Sequence, residues 1–104
     1  MATGRLAAVS LTANTNNNVY RVPSGKVGSF TINLTNTTIE AIAVKIWLST
    51  STSPTNAELL EWNIPLAANG GVYERTGLVL DASKYVIINP AATGVTAVIY
   101  GYED

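Results

Sequence analysis

The sequence predicts an all-β domain, and three observations carry that expectation. Apolar residues recur with a period of two, β-branched residues are abundant, and clusters of Asn, Gly, Pro and Ser interrupt the chain at short intervals. Helix signals are almost absent. Seven or eight short strands at this spacing imply two packed antiparallel sheets, a sandwich of jelly-roll or immunoglobulin-like type.

Arg5–Leu11 forms the first expected strand, and the polar run 12–18 the first loop, because Asn and Thr side chains offer the backbone local hydrogen bonds. Val19–Val22 is a short strand. Pro23-Ser24-Gly25-Lys26 has the composition of a tight turn, from which a hairpin into the next strand is expected. From Lys26 to Thr35 the alternation sets Gly28, Phe30, Ile32 and Leu34 against Ser29, Thr31, Asn33 and Thr35, so the first set meets the core. Ala41–Ser49 repeats the pattern, with Ile42, Val44, Ile46 and Leu48 inward and Trp47 on the less buried side. A polar loop over 50–56 follows, and Ala57–Trp62 reads as strand, with a helical turn as the alternative. Asn69-Gly70-Gly71 turns the chain into Val72–Leu80, Asp81-Ala82-Ser83 into Lys84–Ile88, and the run 89–94 into Val95–Tyr102.

At 104 residues with 47% hydrophobic content, the chain is expected to be a single domain spanning residues 1–104 with one core. It contains neither cysteine nor histidine. Disulfides, thiolate or imidazole metal sites and His-activated nucleophiles are thereby excluded. Charged residues make up 12% and the net charge is −1, and the six basic residues are scattered singly, which argues against a nucleic-acid partner. So low a charge suits a protein covered by neighbours. No stretch approaches the ~20 apolar residues of a membrane span, and 1–5 lacks the apolar core of a signal peptide, so no membrane association and synthesis in a cytosol-like compartment are expected.

Candidate chemistry is sparse. Ser24 with Lys26 and Ser83 with Lys84 sit at turns, where serine serves local hydrogen bonding. Glu58 and Glu61 are the nearest acidic pair, but three residues apart on a strand they face opposite ways, so neither acid–base work nor a metal site is assigned. Gly25, Gly28, Gly70 and Gly71 lack phosphate-loop spacing and are read as turn residues. Asn33-Leu34-Thr35 and Asn36-Thr37-Thr38 match the glycosylation acceptor pattern but are read as strand and turn. The expectation is a protein with no enzymatic activity, no cofactor and no metal. The aromatic residues say more: Trp47, Tyr100 and Tyr102 fall on mixed faces and are the candidate interface residues, with Trp47 an exposed anchor.

The order of features resembles small structural proteins of tailed-bacteriophage virions. The segments that carry the resemblance are Val19-Tyr20-Arg21-Val22-Pro23-Ser24-Gly25-Lys26-Val27, Ile32-Asn33-Leu34-Thr35-Asn36-Thr37, Ile46-Trp47-Leu48-Ser49-Thr50, the stretch from Leu66 to Leu80, and Val98-Ile99-Tyr100-Gly101-Tyr102-Glu103. The resemblance implies a β-sandwich in the virion, made in the host cytoplasm. Its first expected role is a capsid decoration, or cement, protein that binds the outside of the shell as a homo-oligomer, a trimer being the expected form, with the major capsid protein or other virion proteins as partners. A tail, baseplate or fibre-associated protein is the alternative within that group. A carbohydrate-binding module, with Trp47 and the tyrosines stacking on sugar, is the alternative from another class.

Overall fold

A computed structural model describes residues 3–104; Met1 and Ala2, part of the amino-terminal stretch read above, lie outside the described residues. Eight strands follow in order: β1 (Thr3–Ser10), β2 (Asn17–Arg21), β3 (Gly28–Asn36), β4 (Ile42–Ser49), β5 (Leu59–Leu66), β6 (Val72–Leu80), β7 (Tyr85–Pro90) and β8 (Val95–Glu103). They form two four-stranded antiparallel sheets, ordered β1-β8-β3-β6 and β2-β7-β4-β5. The all-β, sandwich-like architecture expected from the periodicity is what the chain adopts.

One core lies between the sheets. Phe30, Ile32 and Leu34 from β3 meet Val44 and Ile46 from β4, with Val86 and Ile88 from β7 and Ile99 from β8, all buried. Alternation along β3 is complete, buried and half-buried positions exchanging at every step, because each successive Cβ points to the opposite face. Asn36 closes the strand as a fully buried polar hub. Its amide donates to the carbonyls of Glu40 (2.8 Å) and Leu66 (3.2 Å), while its side-chain oxygen accepts from the Thr38 N–H (2.9 Å) and hydroxyl (2.7 Å). Every group is satisfied, which is the condition for keeping an amide in an apolar interior. The acceptor pattern at Asn36-Thr37-Thr38 is therefore a turn, with no exposed amide to modify.

Three local expectations change. The turn over 23–26 forms, with the Lys26 N–H donating to the Pro23 carbonyl (3.2 Å), but β2 and β3 belong to different sheets and make no hairpin. Val22 is held instead by the β6–β7 turn, donating to the Lys84 carbonyl (3.0 Å) and accepting from the Ser83 N–H (2.9 Å). A turn sets the local path of the chain, whereas strand pairing is decided by which apolar faces need cover. Residues 56–58 form a short 3-10 turn, Asn56–Glu58, and the strand begins after it at Leu59, running through Pro65. β7 likewise extends to Pro90, at a strand end, where a missing N–H is tolerated.

Two tyrosines tie the sheets together. Tyr20 on β2 donates to the Glu103 carboxylate on β8, both buried, and Tyr73 on β6 donates to Glu61 on β5, which also accepts from Arg75 (2.7 Å). Burial, reinforced by the partner carboxylate, pushes the phenol of each above its ordinary value.

Candidate functional site

The outer face of the β1-β8-β3-β6 sheet is built in cross-strand rows. One row runs Thr3, Tyr102, Ser29, Val79; the next begins Arg5, Tyr100, Thr31; a third runs Ala8, Val98, Asn33, Glu74. Register sets these rows, because directly opposed residues in an antiparallel pair project to the same side. Two of the three candidate interface residues, Tyr100 and Tyr102, thus share one face at alternate positions of β8, and they are 39% and 49% exposed. Val79, 63% exposed, stands across the small side chain of Ser29 from Tyr102.

Between them lies a groove of about 340 Å³, walled by Tyr100, Tyr102 and Val79 and floored along Ser29, Thr31 and Gly101. Gly101 admits no side chain, since a Cβ there would meet the Ser29 carbonyl oxygen at 2.0 Å. Gly77, at φ +72°, lies where the β3–β6 register shifts between Phe30 and Ile32, the bulge position where a left-handed glycine adds a residue to one strand. That added residue changes the parity of β6 and brings Val79 outward, opposite Ser29. The functional reading of the sequence missed Val79, and the signal was Thr76-Gly77 inside a strand pattern.

Tyr100 is held in place by its own hydrogen bond. Its hydroxyl donates to Glu74 (2.8 Å), which also accepts a long contact from the Asn33 amide (3.4 Å). The neighbouring carboxylate shifts the Tyr100 phenol upward. Tyr102 has no such tether among the side-chain hydrogen bonds of the described residues, and Arg5 and Glu74 are the charged residues of these rows.

Trp47 lies elsewhere, and its exposure is corrected. It pairs in register with Ile87 on β7 and Leu59 on β5, while its neighbours Ile46 and Leu48 pack into the core between the sheets, so it does point outward as the alternation expected. Yet it is only 7% exposed, because large apolar neighbours flank it on both sides. It is not available as an exposed anchor in the free chain.

The acidic pair is also separated. Glu61 joins Tyr73 and Arg75, whereas Glu58 closes the 50–58 loop, accepting from the backbone N–H groups of Thr55 (3.0 Å) and Thr50 (2.9 Å) and from the Ser49 hydroxyl (3.0 Å). The amides of Thr55 and then Thr50 hold its carboxyl far down, at about 2. Lys84 is engaged with Asp81 in the turn that contains Ser83. Among the described residues no cluster of three or more acidic side chains could hold a metal ion, and no helix is long and apolar enough to cross a membrane. No family model matches the chain, and neither a curated protein nor a solved structure matches it.

Proposed function

We propose that this chain is a non-catalytic structural protein of a bacteriophage virion, a capsid decoration protein that adds to the outside of the shell as a homo-oligomer. The observation that carries the reading is the open face of the β1-β8-β3-β6 sheet. Two tyrosines and a valine stand exposed there around a groove, in rows with little charge, and such a surface loses little hydration when another protein covers it. Aromatic rings at such a place supply contact area at low entropic cost. The strand order supports a jelly roll over an immunoglobulin-like sandwich: every connection crosses between sheets except that between β4 and β5. A self-contained sandwich without cysteine needs no oxidising compartment, which suits assembly in a host cytoplasm.

Counting copies in purified virions tests the reading. Hundreds per particle are expected of a shell protein, a few copies would move it to the tail, baseplate or fibre, and absence from particles would overturn it. A second reading, a carbohydrate-binding module, draws on the tyrosine rings beside the hydroxyls of Ser29 and Thr31. Glycan binding by the isolated chain, together with absence from virions, would favour it.

A further inference from the structure

The open face is self-complementary, and we infer that its occupant is the same face of a second copy, related by a two-fold axis parallel to the strands and passing between β8 and β3. The inference rests on the reading of this face as a protein-contact surface and names the partner. Under that operation β8 of one copy lies over β3 of the other and β1 lies over β6, while positions along the strands are kept. The order β1-β8-β3-β6 makes this possible, because the two central strands exchange places with each other and so do the two edges.

Size complementarity follows from the rows. Tyr102, the large untethered side chain of its row, falls over Ser29 of the partner copy, the small residue at the groove floor, and Thr3 falls over the partner's Val79. Each copy thus presents a ridge on β8 and a groove on β3, as an isologous contact requires.

Charge complementarity is independent of size. Arg5 lies on β1 in the Tyr100 row and Glu74 on β6 in the Val98 row, so opposite charges occupy opposite edges of the face, one row apart. With β1 stacked over the partner's β6, the offset is about 7 Å along the strand, within reach of an arginine side chain. The two-fold generates the pair twice.

Four strands at ~4.8 Å and about seven residues at ~3.4 Å give roughly 450 Å² per copy. Two such faces, roughly 900 Å² together, fall just below the ~1,000 Å² of a stable specific interface, so the dimer is a weak one in exchange with monomer. This predicts association by twos, whereas the resemblance implies a trimer.

Sedimentation equilibrium of the purified chain over a range of concentrations tests the inference. The expected result is a monomer–dimer equilibrium that each of Arg5→Glu and Glu74→Lys weakens by about tenfold or more, since each reversal sets two like-charge pairs in the contact. The combined R5E/E74K chain restores dimerisation, which also shows that loss in the single variants is not misfolding. A chain that stays monomeric to millimolar concentration, a trimer, or a dimer indifferent to all three variants overturns it. So does a soluble glycan that shifts the Tyr102 ring resonances of a chain that remains monomeric. High copy number in virions with a monomeric chain would sink this inference alone, whereas a dimer absent from virions would sink the virion reading alone.

Discussion

Trp47 and Tyr102 both point away from the core, one on each outer face of the sandwich, and they end in opposite situations. Trp47 sits in a row that runs Asn18, Ile87, Trp47, Leu59, while the row of Tyr102 runs Thr3, Tyr102, Ser29, Val79. Between Ile87 and Leu59 the indole is 7% exposed; between Thr3 and Ser29 the phenol is 49% exposed. Outward direction is therefore a matter of parity along one strand, whereas exposure is set by the volumes of the neighbours on adjacent strands. The covered face adds packed area to the fold, whereas the open face leaves its rings exposed to solvent.

The largest test of that contrast is Trp47→Ala. Removing a buried indole should destabilise the fold by about 3–5 kcal/mol in a denaturant titration, as large-to-small changes at buried sites do. A loss below about 0.5 kcal/mol, the range of surface changes, would mean that the covered face is not a packed one.

Gly101→Ala probes the floor of the open face. The added methyl meets the Ser29 carbonyl, so β8 and β3 must separate locally, at a cost of about 1–3 kcal/mol. Unchanged stability would show that the groove floor can open without strain.

The loop that follows Trp47 should respond to acid. The Glu58 carboxyl lies at about 2 in the folded chain against an ordinary 4.5, so its hydrogen bonds support the loop fully above pH 4.5. That support is lost as pH falls from 4.5 through about 2, because the unfolded chain takes up the proton first. The amide resonances of Thr50 and Thr55 should titrate with a midpoint near 2. A midpoint near 4.5 would show that the loop is open in solution.

The smallest expected effect on folding is that of Tyr102→Ala, within about 0.5 kcal/mol. A loss of 2 kcal/mol or more, comparable to that of a buried residue, would remove the distinction between the two faces.

Much of this architecture is legible in the chain. The alternation of Phe30, Ile32 and Leu34 against Ser29, Thr31 and Asn33 determines the core face of β3, because the pleat has a fixed period of two. The turns at 23–26, 69–71 and 81–83 are determined by residues whose backbone preferences are local. Tertiary structure alone decided that the chain crosses between sheets at Pro23-Ser24-Gly25-Lys26, and that Tyr20 meets Glu103 and Tyr73 meets Glu61. It also decided that Trp47 is covered while Tyr102 is open. These depend on which strands become neighbours, and neighbours distant in sequence leave no periodic trace in either strand.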